Sequence, residues 1–288
     1  MLYFLPDYIR VLIGNTAFIG IVLLVARQFE KKFPIEAEQS TTEIIADWKL
    51  AGLRYGTGQL LSPVVNLSAL LIINAAGGGW IQLRSDGWWF LFSFMVLILA
   101  IDFWGYLVHR AAHKFPLLWA MHSLHHSAEA LSAVTGARHF FLEESILGVF
   151  PILGIVFKVP PEMVTPLTFV YLLPDGLSHM NIHLSLGRFA LVLNNPQYHR
   201  IHHSIEPQHW DKNFCKLLPL FDVIFGTAWK PRKDEFPKTG LVPREEPGGI
   251  LDGIIWPVRH RLSWVRSPGR TVNHERVEPV FGVEDAGR

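Results

Sequence analysis

The sequence predicts an all-α integral membrane protein with three spanning helices, a short helical hairpin and a histidine-rich helical cap. Half of the residues are apolar and only 18% are charged, whereas a soluble domain carries about 25% charged residues. Long uncharged segments alternate with polar ones along the chain. The histidines occur in tight groups that lie outside the long apolar segments, which places a second kind of structure beside the predicted spans.

Composition excludes several classes of protein. The net charge is +1, and no basic stripe is present that could track phosphates, so we expect no nucleic-acid partner. The single cysteine, Cys215, excludes an internal disulfide, a cysteine zinc site and an iron–sulfur cluster held by this chain alone.

The first two predicted spans lie near the N-terminus. Residues 8–26 are almost entirely apolar and are long enough for a membrane helix, which needs about 20 residues. Residues 27–57 mix charged and polar side chains and are expected to form a connecting loop. The uncharged stretch that follows fits a second span at 58–76, and the three glycines at 77–79 predict a tight turn after it.

The third predicted span is the most apolar. Residues 88–108 contain one charge, Asp102, and begin with two tryptophans, which are typical of membrane interfaces. The later apolar runs, 145–157 and 163–174, are each too short for an ordinary crossing. A re-entrant or tightly paired helical hairpin therefore fits them better than two further spans.

The chain divides into three regions on this basis. We expect an N-terminal transmembrane region at 1–87, a catalytic domain at 88–230 and a polar tail at 231–288, in which residues 251–265 lie along the membrane surface. If all three spans cross, loop 27–57 and the histidines share one face. That loop holds five Lys or Arg residues and the opposite loop holds one, so the positive-inside rule places this face in the cytoplasm.

Four groups of histidines indicate metal chemistry. Within each group the side chains are separated by one, three or four residues, and spacings of three and four place them on one face of a helix. The candidate metal ligands are His109, His113, His122, His125, His126, His179, His183, His199, His202 and His203. By contrast, we expect His139 to be structural and His260 and His274 to have no catalytic role, since lone histidines are usually core or surface residues.

Ten imidazoles are too many for one ion, so the sequence predicts two. Imidazole nitrogens suit iron, zinc, copper or nickel and do not suit calcium or magnesium. The pattern of residues does not choose among those metals. A zinc hydrolase usually has the H-E-x-x-H motif, which is absent here. Two redox metals beside a lipid phase instead favour oxygen activation.

Three segments resemble the fatty acid hydroxylase superfamily, which includes sterol desaturases and sterol methyl oxidases. They are DFWGYLVHRAAHKFPLLWAMHSLHHS at 102–127, SHMNIH at 178–183, and NNPQYHRIHHS followed by FDVIFGT within 194–227. The resemblance covers roughly residues 90–230. It implies a non-haem di-iron monooxygenase that uses O2 to oxidise a lipid, such as a sterol or a fatty-acyl chain, and it assigns the ten histidines above as ligands of two iron ions.

Three aspartates are candidate acceptors for the imidazole N–H groups. Asp102 lies seven residues before His109 on the same helical face, and Asp175 and Asp222 lie close to histidine groups in the sequence. The chain has no glycine-rich nucleotide motif, flavin motif or haem-ligand pair. We therefore expect its electrons to come from a separate reductase system.

Other functions compatible with the motifs remain open. Desaturation uses the same histidine spacing as hydroxylation, so the sequence does not separate the two reactions. A histidine-lined metal transporter would place polar residues within its spans, near the membrane midplane, whereas the predicted spans here are apolar. A non-catalytic metal-binding relative is the third alternative.

Overall fold

The computed structural model describes residues 5–35, 39–143 and 150–266. As the sequence predicts, the described residues are mainly helical, and β structure is limited to two strands of two residues each. The elements are α1 (Leu5–Glu30), α2 (Thr41–Ala75), β1 (Ile81–Gln82), α3 (Trp89–Lys114), α4 (Pro116–His126), α5 (Phe150–Val156), β2 (Phe157–Lys158), α6 (Pro161–Ser178), α7 (Pro196–His202), α8 (Leu220–Ile224) and α9 (Ile250–Arg266).

The second helix is longer than the sequence analysis predicted. It begins at Thr41, so the expected loop at 27–57 is wrong over most of its length. Its start is a capping box, in which the Glu43 backbone N–H donates to Ser40 Oγ and the Ser40 N–H donates to the Glu43 carboxylate. Asp47, Leu50, Ala51 and Arg54 form its buried face. This face supports the histidine-rich region and lies outside the apolar part of the helix.

Only α3, among the helices that the structure describes, is both long enough and apolar enough to cross a membrane. It has 26 residues, and its most apolar window has a mean hydropathy of 2.1. One side of α3 packs against the hairpin that follows it in the chain. Leu97, Ile98 and Ile101 of α3 form a core there with Leu153 of α5 and Leu167 of α6.

The predicted hairpin consists of α5, β2 and α6, and residues 144–149 at its start lie outside the described residues. Strand β2 pairs in parallel with β1, so that Phe157 lies opposite Ile81 and Lys158 lies opposite Gln82. This pairing brings the turn of the hairpin to the same end of α3 as the tryptophans. Helix α6 therefore returns along the length of α3 and ends beside the histidines.

Helix α9 covers the histidine-rich region from outside. Trp256 is fully buried, and its indole N–H donates to Ser123 Oγ of α4 over 3.0 Å. The opposite face of α9 exposes Leu251, Ile255 and Val258. The helix is thus amphipathic, with its buried side on α4.

Candidate metal centre

Two adjoining groups of imidazoles lie between α3, α4, α6 and α7. The five-histidine group contains His109, His113, His122, His126 and His202. The four-histidine group contains His125, His179, His199 and His203. Within each group the candidate ligand atoms lie within 4.8 Å of one another. The structure therefore brings together nine of the ten predicted ligands, in two sets.

A corner between two helices creates the five-histidine group. Phe115 is extended because Pro116 follows it, and α3 therefore ends at Lys114 while α4 begins with proline at its first position. The chain turns back at this corner. As a result, His109 and His113 of α3 face the histidines of α4.

The two H-x-x-H-H motifs are divided between the groups in opposite ways. In α4, His122 and His126 are four residues apart and join the five-histidine group, whereas His125 points to the four-histidine group. At α7 the arrangement is reversed. His199 and His203 join the four-histidine group, and His202 joins the other. Helix geometry permits the division, because side chains four residues apart differ in direction by about 40°, whereas the intervening side chain differs from them by about 60° and about 100°.

The nitrogen positions in the four-histidine group fit a single ion. His179 Nε2 lies 3.0 Å from His125 Nε2, 3.1 Å from His203 Nε2 and 3.0 Å from His199 Nε2. Two nitrogens bound at right angles to one ion, each at about 2.1 Å, are about 3.0 Å apart. A neutral imidazole has one N–H, so these four nitrogens do not satisfy one another by hydrogen bonding alone.

In the five-histidine group, three Nδ1 atoms have acceptors. His109 Nδ1 donates to the Phe214 carbonyl over 2.7 Å, and His202 Nδ1 donates to the Lys212 carbonyl over 2.8 Å. His122 Nδ1 lies 2.8 Å from the Glu143 carboxylate. The Nε2 atoms of these three histidines are buried without a hydrogen-bond partner among the described residues. Their lone pairs are consequently directed into the group.

The four-histidine group is less well supplied with acceptors. His179 Nδ1 donates to the Asp175 carbonyl. The Nδ1 atoms of His125, His199 and His203 are buried and lack a hydrogen-bond partner within the described part of the chain. The protein thus fixes the tautomer of one histidine in this group and of three in the other.

Burial keeps the imidazoles neutral. Loss of contact with water lowers the pKa of His125, His126, His199 and His203 well below the ordinary value, and the neighbouring imidazoles lower it further. The same burial lowers the pKa of His202 to about 3. Neutral imidazoles have the lone pairs that metal binding requires.

Glu143 and His139 adjoin both groups, and the sequence analysis did not assign them as site residues. Burial acts to raise the pKa of Glu143, but His139 and His122 outweigh it and hold that pKa well below the ordinary value. The His139 ring stacks on His125 with ring centres 4.0 Å apart. The four-residue spacing of His139 and Glu143, between two of the histidine groups in the sequence, is the signal that could have identified this pair.

The three predicted aspartates do not accept imidazole N–H groups through their carboxylates. Asp102 instead accepts the backbone N–H groups of Leu217 and Leu218, at 2.9 and 2.8 Å. Asp222 accepts those of Phe214 and Cys215, also at 2.9 and 2.8 Å. The physical reason is that these turns expose several backbone donors, and a buried carboxylate satisfies two at once.

Asp175 has a different arrangement. Its carboxylate pairs with Lys216 at 3.0 Å and with Arg54 at 3.5 Å, while its backbone carbonyl accepts from His179. Asp222 thus acts on His109 indirectly, through the Phe214 backbone that it holds, whereas Asp175 contacts His179 directly through its own backbone carbonyl. The acceptors of imidazole N–H groups are mainly backbone carbonyls, which a sequence does not identify.

His183 lies apart from both groups, contrary to the prediction. Its side chain is exposed, its ring packs against Phe236 with centres 4.2 Å apart, and its backbone N–H donates to the Phe33 carbonyl. The prediction assumed that a helix continues from His179 to His183. Helix α6 ends at Ser178, so the spacing of four no longer places the two side chains on one face.

A cavity of about 130 Å³ adjoins the two groups. Imidazoles of both groups line it, including His109 and His179. Trp104 and Val108 of α3 form an apolar wall, and Tyr171 of α6 lies opposite. Lys216, with its ammonium 3.5 Å from the centre of the Tyr171 ring, also lines the cavity. The cavity therefore connects the metal-facing nitrogens with the space between α3 and α6.

Comparison with known proteins identifies the same region. Residues 94–227 match the fatty acid hydroxylase family. The alkylglycerol monooxygenase of Danio rerio is 31% identical over 185 residues, covering 64% of this chain and 40% of that protein. The human alkylglycerol monooxygenase is 29% identical over 227 residues, covering 77% of this chain and 48% of that protein.

A bacterial protein is similar over a comparable range. The ornithine lipid hydroxylase OlsE of Rhizobium tropici is 27% identical over 168 residues, covering 57% of this chain and 50% of that protein. This chain thus spans half or less of the length of these three relatives. No solved structure matches.

Proposed function

We propose that this chain, which matches the fatty acid hydroxylase family over residues 94–227, is a membrane-bound, non-haem di-iron oxygenase that hydroxylates a lipid. The observation that carries this proposal is the pair of adjoining imidazole groups. In the five-histidine group, the Nε2 atoms of His109, His122 and His202 are buried without a partner among the described residues. In the four-histidine group, the Nε2 atoms of the other three histidines lie 3.0 to 3.1 Å from His179 Nε2. Such nitrogens are costly to bury unless an ion binds them.

The two groups fit two iron ions. The five-histidine group and the four-histidine group offer neutral nitrogen donors, which suit iron. When bound, the two ions would supply activation of O2 and oxidation of an unactivated C–H bond. His139 and Glu143 complete the surroundings by holding His122 and packing on His125.

The residues of this chain orient the ligands and exclude water. Carbonyls of Phe214, Lys212 and Asp175 hold the Nδ1 protons of three histidines, so that Nε2 faces the ion site. Trp104 and Val108 give the cavity one apolar wall, beside the imidazoles and charged side chains that line the rest of it. A C–H bond placed in this cavity is brought next to both groups without bulk water around it.

We propose a lipid as the substrate. The named relatives are an alkylglycerol monooxygenase and an ornithine lipid hydroxylase. A cavity of about 130 Å³ accommodates the reacting segment of such a molecule and not the whole of it. The rest of the lipid would remain between α3 and α6 or in the bilayer. Electrons would come from a separate reductase system.

The proposed topology is multi-pass. Helix α3 is the candidate span, and we propose that α1 and the second half of α2 cross as well, with the hairpin returning to the histidine side. The five Lys and Arg residues of 27–57, which lie at the end of α1, directly after it and in the first half of α2, favour a cytoplasmic location for the histidines. A reporter fused after Lys230 should then be cytoplasmic.

One experiment tests the function directly. The purified, iron-loaded protein should contain two iron ions per chain and should incorporate labelled oxygen from O2 into a membrane lipid when a reductase is supplied. A fully folded protein that reproducibly holds one ion or none would refute the di-iron assignment. An unsaturated product without labelled oxygen would identify the enzyme as a desaturase instead.

A further inference from the structure

The outward face of α3 shows where a membrane would end. Phe103 and Leu107 on this face are exposed and apolar, and the next exposed positions are Arg110 and Lys114. Long cationic side chains keep their charged ends in the interface while their stems remain in apolar surroundings. The distance from Trp89 to this change is about 30 Å along the helix, which matches the hydrocarbon thickness of a bilayer.

The segment around α8 lies on the apolar side of this boundary. Leu217 and Leu218 donate their backbone N–H groups to Asp102, which directly precedes Phe103 in α3. The Phe221 ring is 5.0 Å from that of Phe103. These contacts place residues 217–225 beside the membrane half of α3, although the segment follows the histidine-rich region in the sequence.

The outer surface of this segment is apolar and exposed. Leu220, Val223, Ile224 and Phe225 are each between 43% and 60% exposed. A neighbouring segment, 189–193, adds a second set of exposed apolar side chains, which are Phe189, Val192 and Leu193. The two segments are joined because the Asn194 backbone N–H donates to the Leu217 carbonyl over 2.7 Å.

The irregular backbone around these two segments has hydrogen-bond partners within the protein, which it needs if lipid and not water surrounds it. Asp102 takes two backbone N–H groups and Asp222 takes two more. The Asn194 side-chain amide donates to the carbonyls of Cys215 and Lys216. Irregular backbone at membrane depth is stable only when such partners exist, because lipid offers none.

We propose that residues 189–193 and 217–225 form an apolar ridge that inserts into the bilayer beside α3, where it contacts lipid acyl chains. The ridge adds membrane contact that no spanning helix provides. Phe214 connects the ridge to the metal centre, because its backbone N–H is held by Asp222 and its ring lies 5.6 Å from that of His109. The centre is thereby held at the membrane boundary by an element other than α3.

Depth-dependent fluorescence quenching tests the ridge. The sole native cysteine, Cys215, is fully buried, so a dye can be placed at Ile224→Cys or Val192→Cys in the full chain. The matched control is Glu206→Cys, an exposed polar site on the histidine side. In phosphatidylcholine vesicles that carry a nitroxide on the acyl chain, quenching should be severalfold stronger at 224 and 192 than at 206.

Two outcomes would overturn the proposal. Equal quenching at all three positions, with equal labelling by a charged water-soluble thiol reagent, would place the ridge in water. Weak quenching at 224 combined with protection from that reagent would mean that protein, such as a second copy of this chain, covers the ridge. Iron content of each variant verifies folding. The measurement requires no turnover, so its result is independent of the proposed reaction.

Discussion

The two histidine groups offer the same kind of donor but are held in different ways. In the five-histidine group, Phe214, Lys212 and Glu143 accept the Nδ1 protons of three imidazoles. In the four-histidine group only His179 has such an acceptor among the described residues. One group is therefore organised by its surroundings before any ion binds, whereas the other has its nitrogens in place with fewer of its tautomers fixed.

This difference indicates that the protein selects the imidazole tautomers in one group, whereas a bound ion would select most of them in the other. A fixed Nδ1–H removes the wrong tautomer and raises the basicity of Nε2. Without an acceptor, the ion itself selects the tautomer when it binds. We expect the five-histidine group to retain its ion longer under chelation than the four-histidine group.

The largest expected effect comes from removing one ligand from each group. His202→Ala and His125→Ala should each lower turnover by more than about 100-fold, because loss of an outer partner alone costs about 10- to 100-fold. Turnover and iron content per chain are the measurements. His183→Ala is the control and should retain both, since its side chain is exposed. Loss of iron in the His183→Ala variant would show that the two groups do not contain all of the ligands.

A smaller effect should follow from a glycine that only the four-histidine group needs. A side chain at Gly136 would overlap the Asp175 carbonyl and lie 3.1 Å from His179 Nδ1. Gly136→Ala should therefore cost about 1–3 kcal/mol of stability and weaken iron binding in the four-histidine group. Thermal unfolding and iron content are the measurements.

The control for this variant is Gly52→Ala on α2, where nothing lies within 4 Å of a new side chain. Alanine there should leave iron content unchanged. If Gly136→Ala also keeps the thermal stability and the iron content of the parent protein, the close contact between the 135–137 turn and α6 does not position His179.

The smallest predicted change concerns Glu143. Glu143→Gln keeps the shape of the side chain but removes the charge beside His122 and His139. Iron should be lost to a chelator about 10-fold more readily, and from the five-histidine group first, which would reverse the order expected for the parent protein. The exposed Glu206→Gln is the control. An unchanged order of loss would mean that Glu143 does not distinguish the groups.

The histidine spacing in the sequence indicated which imidazoles would lie together, and nine of the ten do so in the structure. It did not predict how they divide, since the division depends on the corner at Phe115 and on the orientation of α7. His183 was assigned wrongly to the site because α6 ends before it. The aspartates were predicted in the right region, but their carboxylates have other partners than the imidazoles. Backbone carbonyls accept the imidazole N–H groups instead, and every residue has a carbonyl, so the residue types in a sequence do not identify them.

Other parts of the fold were open to prediction but were missed. The pattern Ser-x-x-Glu at 40–43 is a capping box, and the buried positions from Asp47 to Arg54 repeat at helical spacing, so the early start of α2 could have been read from the sequence. The pairing of β1 with β2 could not, because two residues carry too little pattern.

The opposite division of the two H-x-x-H-H motifs has a consequence for biosynthesis. Helices α4 and α7 each contribute to both groups, so the five-histidine group is complete only when the chain has been made as far as His202, and the four-histidine group only at His203. An ion could therefore not be fully coordinated by either group before α7 has been made. If each group bound an ion, two separate points of attachment would fix the rotation of α7 against α4 as well as their distance, which one ion would leave free.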